Sequence, residues 1–112
     1  MMKKTTDQAL FREANLSLVL RNIHNEAPLS RAKLAVMTEL NKSTISSLVE
    51  DLLARGLIHE IGMGTIGTGR PATLLEINPK AGGIIGVELG VDFVAVALMD
   101  FVGKVIWRCK EK

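Results

Sequence analysis

Apolar residues recur at helical spacing near the start of the chain. Between Leu16 and Ile23 they follow an i, i+3, i+4, i+7 pattern, which predicts an amphipathic helix. Pro28 marks the end of this helix, because proline cannot continue the helical hydrogen-bond ladder. The pattern leaves open whether residues 6–13 extend the helix or form a separate turn.

A short second helix is predicted from Ser30 to about Leu40. Ser30 is a favourable N-cap, and Leu29 and Leu34 flank it at the spacing of a hydrophobic staple. A third helix follows and ends near Gly56, which suits the C′ position after a last turn. Its N-cap is either Asn41 or Ser43, and its apolar stripe is formed by Ile45, Leu48, Val49, Leu52 and Leu53.

Strand and turn residues dominate the second half of the chain. Residues 57–62 and 72–78 predict two strands around a glycine-rich loop at 63–71. Residues 79–83 have the composition of a linker. From Ile84 onward, β-branched and apolar residues predict the strands of a second, buried sheet.

This order of elements predicts an α+β fold with two parts. Three helices followed by a strand, a glycine-rich loop and a returning strand are typical of a winged helix-turn-helix with a β-hairpin wing. We assign this module to residues 1–79. Residues 80–112 are expected to form the first strands of a different domain.

Composition narrows the class of protein without deciding it. The chain has 112 residues, 47% of them hydrophobic, and a formal net charge of +2. Residues 1–80 contain ten Lys and Arg against eight Asp and Glu, whereas residues 81–112 contain four of each. Cys109 is the only cysteine, so we expect no internal disulfide, no cysteine-based zinc site and a cytoplasmic setting. No segment is long and apolar enough to predict a membrane span.

The third helix has the pattern of a helix that enters the major groove of DNA. In its first half Ser43 and Ser47 lie opposite the apolar stripe, and Thr44 and Ser46 lie on the flanks. This half contains one cation and no acid, whereas Glu50 and Asp51 farther along would be repelled by phosphates. We therefore predict that this half lies in the groove of double-stranded DNA. The alternative is that the hydroxyls are ordinary capping residues. The predicted contact residues here are Lys42, Ser43, Thr44, Ser46 and Ser47.

Two neighbouring segments add predicted DNA contacts. Arg31 and Lys33, at the start of the second helix, are positioned to hold the phosphate backbone. In the wing, Thr68, Gly69 and Arg70 form a tip from which the arginine could enter a narrow, A·T-rich minor groove. The alternative for the tip is a flexible hairpin with a solvated arginine.

Other chemistry is poorly supported by the residues. Gly62, Gly64 and Gly67 spell a G-x-G-x-x-G dinucleotide motif after a strand, but no helix is predicted to follow it. His24, His59 and Cys109 lack partners at catalytic spacing, so we expect surface or packing roles. We predict no catalytic residues, no cofactor and no metal site.

Three segments together resemble the ROK family (repressors, open reading frames, kinases), in its xylose and N-acetylglucosamine repressor branch. They are residues 15–58, the wing segment GTGRPATLLEINP at 67–79, and GVELGVDFVAVALMDFVGKVI at 86–106. The resemblance implies a repressor of carbohydrate-use genes that binds inverted-repeat operators as a homodimer. It also implies that residues 80–112 form a truncated β-hairpin at the start of an actin-like ATPase-type domain, and that a sugar effector binds only where that domain is complete.

The same resemblance supplies the main alternative, a sugar kinase or a remnant of one. Kinases of the family carry an acidic residue and then a Gly-Gly-Thr phosphate loop after the first strand of that domain. Glu88 and Gly90 match this pattern, but Val91 and Asp92 replace the second glycine and the threonine. Bulk and negative charge oppose phosphate binding there, so we expect no enzyme activity. A further alternative is a protein-interaction module that pairs through residues 84–107.

Overall fold

The computed structural model describes the backbone of residues 2–66 and 70–112, and the side chains of residues 7–64 and 71–112. By the contacts between its elements, the chain divides into two units, Met1–Ile77 and Asn78–Lys112. Each unit contains its own antiparallel sheet, and the helices described lie in the first.

Three helices open the first unit: α1 (Met2–Glu26), α2 (Arg31–Thr38) and α3 (Lys42–Ala54). Residues 6–13 extend α1, which answers the question that the apolar pattern left open. α1 stops ahead of Pro28, as predicted. In the described part of the chain, no helix is long and apolar enough to cross a membrane.

Local capping explains the bounds of α2. The Ser30 hydroxyl accepts a hydrogen bond from the backbone N–H of Lys33 at 3.1 Å, which confirms the predicted N-cap. The helix ends at Thr38 rather than near Leu40, because Glu39 adopts a left-handed conformation with φ of 61°. A left-handed residue cannot continue a right-handed helix, so the chain turns at once toward α3.

α3 buries the predicted stripe. Leu53 is only half-buried, but the other four stripe residues are at most 1% exposed. Gly56 follows the last turn with φ of 73°, as expected for the C′ residue. Helices and strands of the first unit together enclose one apolar core, formed by Leu16, Val19, Ile23, Leu29, Leu34, Ile45, Leu48, Val49, Leu52, Ile58, Leu75 and Ile77.

A three-stranded sheet completes the first unit. Strands β2 (Ile58–Ile66) and β3 (Arg70–Ile77) form the wing hairpin, and the two-residue strand β1 (Leu29–Ser30) pairs with the other edge of β3. β1 was not predicted, since two residues are too few to show an alternating pattern. β1 ties the start of α2 to the wing.

The wing strands are longer than predicted. Met63 to Ile66 were assigned to a loop, yet they pair with β3 after a bulge that follows Glu60. Gly64 fits this position because a Cβ there would overlap the Leu74 side chain. The strand that follows Gly62 and Gly64 is antiparallel and no helix comes next in the described chain, so the dinucleotide-binding interpretation is wrong.

The second unit is a meander of three strands: β4 (Gly83–Leu89), β5 (Val94–Asp100) and β6 (Val105–Glu111), in the order β4-β5-β6. The predicted hairpin is confirmed as β4 and β5, and β6 adds a second hairpin to it. The expectation of a buried sheet is wrong: Ile85 is 70% and Trp107 is 53% exposed, because this unit contains no second layer that covers the sheet.

Candidate nucleic-acid interface

The turn between α2 and α3 is three residues long and tightly bonded. The Thr38 hydroxyl donates to the Leu34 carbonyl at 2.7 Å and accepts from the Leu40 N–H at 3.3 Å. Asn41 then caps α3, and its Oδ1 accepts the Thr44 N–H at 2.8 Å. Asn41 is therefore the N-cap, and Ser43, the other candidate, lies in the first turn. The arrangement is a helix-turn-helix.

Ser43 and Ser47 of α3 lie opposite the buried stripe, and Thr44 and Ser46 lie on its flanks. Ser43, Ser46 and Ser47 are exposed and Thr44 is half-exposed. Because the stripe is anchored in the core, the orientation of this polar side is fixed. It contains no acid until Glu50.

The basic residues near this surface fall into two groups. Lys33 and Lys42 are exposed, and neither ammonium has an ion-pair partner among the residues whose side chains are described. Arg31 behaves differently from the expectation that it is free to hold phosphate. Its Nη2 lies 3.1 Å from Glu50 Oε1 on α3 and 3.3 Å from Glu60 Oε1 on β2. One arginine thus links three elements.

Arg12 on α1 is a contact that the sequence analysis missed. Its Nη1 donates to the Ser47 hydroxyl at 3.3 Å, and its Nη2 pairs with Asp51 at 3.1 Å. The residues are 35 and 39 positions apart in the chain, so no local pattern connects them. Only the packing of α1 on α3 brings this cation beside the surface.

Asp51 is held between two arginines. The Arg55 Nε hydrogen bond at 2.8 Å, followed by that from Arg12, lowers the pKa of the Asp51 carboxyl below its ordinary value of 3.8. The same hydrogen bond, with a second one to Glu13, raises the pKa of Arg55. The charge of Asp51 is therefore compensated, although its position on α3 suggested repulsion of phosphates.

The wing contacts can be located only in part. Thr68 and Gly69 lie outside the described residues, and so does the side chain of Arg70. The backbone of Arg70 begins β3 and pairs with Ile66. The role predicted for these three residues remains a prediction.

The two histidines and the cysteine, for which we expected surface or packing roles, lie at exposed or half-buried positions. His24 is exposed beside Asn25, and His59 pairs with Glu76 across the wing strands at 2.8 Å. Cys109 is half-buried in β6.

The segment that matches the kinase phosphate loop forms a tight hairpin turn. The Gly90 N–H donates to the Phe93 carbonyl at 2.8 Å, so it is already satisfied within the turn. A Cβ on Gly90 would overlap the Phe93 ring, which explains the glycine by close packing. Lys110 lies 4.3 Å from the centre of the same ring.

The elements around this surface define a class: α2, the turn, α3 and the wing hairpin form a winged helix-turn-helix. Residues 17–61 match the model of the MarR family, so this part of the chain is similar to that family. The match includes the three helices from residue 17 onward and the beginning of β2.

Longer relatives identify the group more closely. The chain is 44% identical over 100 residues to the xylose repressor of Bacillus spizizenii, covering 89% of this chain and 26% of that protein. It is 39% identical over 102 residues to a protein named putative xylose repressor of Caldicellulosiruptor, covering 91% and 26%. The chain therefore spans about a quarter of the length of the curated relatives it matches.

A solved structure agrees with these relatives. The crystal structure of a ROK family transcriptional regulator, a homologue of the Escherichia coli MLC protein, aligns with a TM-score of 0.72 and 28% identity. The alignment covers 89% of this chain and 26% of that one. This chain is thus homologous to part of the ROK family regulators, which confirms the resemblance drawn from its residues.

Proposed function

We propose that this chain binds double-stranded DNA sequence-specifically, with the first half of α3 in the major groove. One observation carries the proposal: the polar, acid-free side of residues 42–47 is exposed while the opposite side of the same helix is anchored in the core. The major groove admits one α-helix, and small side chains allow the helix to approach the base edges closely.

Phosphate contacts would come from the cations around this helix. Lys33 and Lys42 are exposed and have no acidic partner in the described chain, so they can neutralise phosphates without first breaking an ion pair. Arg31 would contribute in another way, by compensating Glu50 and Glu60 close to the DNA. Arg12 compensates Asp51 in the same manner.

The wing would add a minor-groove contact. Arg70 begins β3 next to the hairpin tip, and an arginine at a wing tip fits a narrow, A·T-rich minor groove. We propose Thr68, Gly69 and Arg70 as the contact residues there, from the sequence.

The biological role that fits best is repression of carbohydrate-use genes, since relatives that match are named xylose repressors and, in one case, N-acetylglucosamine repressor. A homodimer on an inverted repeat would place two copies of α3 one helical turn apart. A sugar effector would require the remaining three quarters of the length found in those relatives.

The relatives' names are those of repressors rather than enzymes, and the Gly90–Phe93 turn uses an N–H that a phosphate loop would need. We propose no enzyme activity.

Selection from random duplexes tests this function directly. Duplexes with a random core of about two helical turns, ~20 base pairs, would be mixed with the chain and the retained fraction sequenced at two salt concentrations. We expect an enriched motif, and weaker retention at the higher salt concentration. Retention without enrichment would reduce the function to non-specific binding, and no retention in dilute buffer would contradict it.

A further inference from the structure

Two serines of α3 have opposite hydrogen-bonding states. Ser43 and Ser47 are exposed and lie four residues apart, so they share one side of the helix. A serine hydroxyl has one proton to donate and two lone pairs that accept. Its neighbours decide which of these remains for a ligand.

Ser43 has already used its proton. Its hydroxyl lies 2.9 Å from Asn41 Oδ1, and that oxygen also accepts the Thr44 N–H at 2.8 Å. An amide oxygen carries no proton, so Ser43 must be the donor in this contact. What Ser43 can still offer to a ligand is its lone pairs. It is therefore an acceptor.

Ser47 is in the reverse state. Its hydroxyl oxygen accepts from Arg12 Nη1 at 3.3 Å, and a guanidinium can only donate. The second arm of the guanidinium is held by Asp51 at 3.1 Å, which keeps Arg12 in place. In the described chain the Ser47 proton has no acceptor. Ser47 therefore presents a donor.

We infer that Ser43 contacts an exocyclic amino group of a base and that Ser47 contacts a base acceptor. The amino group is adenine N6 or cytosine N4, and the acceptor is purine N7, guanine O6 or thymine O4. The two serines are about 6 Å apart along the helix, against about 3.4 Å per base pair, so they reach neighbouring or next-but-one base pairs. This inference rests on the proposed function, and Arg12 acts in it as a positioning residue.

Base analogues separate the two roles. A duplex obtained from the random pool would be scanned with analogues that lack an acceptor (7-deazapurines, 6-thioguanine, 4-thiothymine) or lack the amino group (2-aminopurine, pyrimidin-2-one). For the unsubstituted chain, we expect one position in each scan to lose about 3- to 10-fold in affinity, the effect of one hydrogen bond.

The serine variants assign each loss to a side chain. Ser47→Ala should abolish only the acceptor-dependent loss, and Ser43→Ala only the amino-dependent loss. Ser17→Ala is the matched control, since this exposed serine of α1 lies outside the predicted contact residues, and it should keep both losses. Arg12→Met should shrink the acceptor-dependent loss alone, because the Ser47 hydroxyl is then free to rotate.

Three results would overturn the inference while leaving DNA binding intact. They are a reversed assignment of the two losses, persistence of both losses in Ser43→Ala and Ser47→Ala, and a uniform weakening without dependence on any base atom. Circular dichroism of each variant checks that α3 is folded. Failure of the unsubstituted chain to retain any duplex would overturn the proposed function, and the inference with it.

Discussion

The two units of this chain have similar apolar sequences but differ in how far they bury the apolar side chains. In the first unit the apolar residues of three helices and a sheet face one another, and those of the α3 stripe reach at most 1% exposure, apart from Leu53. In the second unit a regular three-stranded sheet leaves Ile85 70% and Leu89 77% exposed. Both segments have the composition of a protein interior, but only the first contains two layers that cover each other.

The difference in burial indicates which unit can support a binding surface. A single sheet has two faces and buries neither without a second layer, whereas a helix packed on other helices leaves one side free in a fixed orientation. The polar side of α3 is fixed in this way by its own stripe. The first unit therefore has what a recognition surface requires, a rigid support and an exposed polar side.

The largest effect should come from opening the first core. Leu48→Ala removes a side chain that is 1% exposed, and we expect a loss of about 2–5 kcal/mol in the free energy of unfolding. Leu89→Ala is the matched change in the second unit, where the side chain is 77% exposed, and it should cost under about 0.5 kcal/mol. Urea denaturation measures both. Equal losses would show that the sheet is stabilised by a cover that we have not recognised.

A second test concerns the acids beside the proposed DNA surface. Arg31→Ala leaves Glu50 and Glu60 uncompensated, and we expect duplex affinity to fall on the order of tenfold through like-charge repulsion. The combined variant Arg31→Ala, Glu50→Gln, Glu60→Gln should recover most of that affinity, as measured by fluorescence anisotropy. No recovery would mean that Arg31 itself contacts phosphate, as the sequence alone suggested.

These two tests also mark what sequence could and could not predict. The stripe from Ile45 to Leu52, the Ser30 cap and the Gly56 terminus follow from residue spacing and conformational preference, and the structure confirms them. The contacts of Arg12 and Arg31 could not be predicted, because their acidic partners lie 19 to 39 residues away and are brought near by packing. A local pattern contains no information about such distances.

The wrong predictions for the two sheets have a similar origin. The glycine-rich stretch from Met63 suggested a loop, yet Met63 to Ile66 pair with β3 after a bulge, and Gly64 allows a close approach to Leu74. Apolar strands from Ile84 onward suggested burial, but whether a strand is buried depends on the layer that covers it rather than on its own residues.

The wing offers a test that depends on the DNA sequence. Arg70→Ala should weaken binding several-fold on duplexes with A·T-rich flanks, where the narrow minor groove attracts an arginine. On G·C-rich flanks the change should be smaller. Paired anisotropy titrations on the two duplexes give the comparison, and equal losses would remove the minor-groove assignment.

Replacing one exposed lysine in each unit compares the two units through the salt dependence of DNA affinity, where a smaller effect is expected. Lys42→Ala should reduce the slope of log affinity against log salt by about 0.9, the contribution of one neutralised phosphate. Lys104→Ala removes the same charge from an exposed position in the second unit and should leave the slope unchanged. Equal changes of the slope in both variants would show that DNA contacts the two units alike.

The smallest effect is expected on the pH dependence of unfolding at acid pH. Hydrogen bonds from Arg55 and Arg12 lower the pKa of Asp51 in the folded chain, so its stabilising contribution is present above the ordinary pKa of 3.8 and is lost as the pH falls below it. Asp51→Asn should therefore flatten the pH dependence of unfolding in that acid range only. Asp92→Asn, in an exposed turn of the second unit, is the control and should leave the pH dependence of unfolding in the acid range unchanged.

Amide chemical shifts can show whether α3 or the second unit contacts DNA, because they report on both units in one experiment. Heteronuclear NMR spectra of the chain would be recorded while a duplex selected from the random pool is added. We predict that the amides of residues 42–47 shift most and that those of β4 to β6 stay in place. Shifts confined to the sheet, with α3 unchanged, would contradict the account.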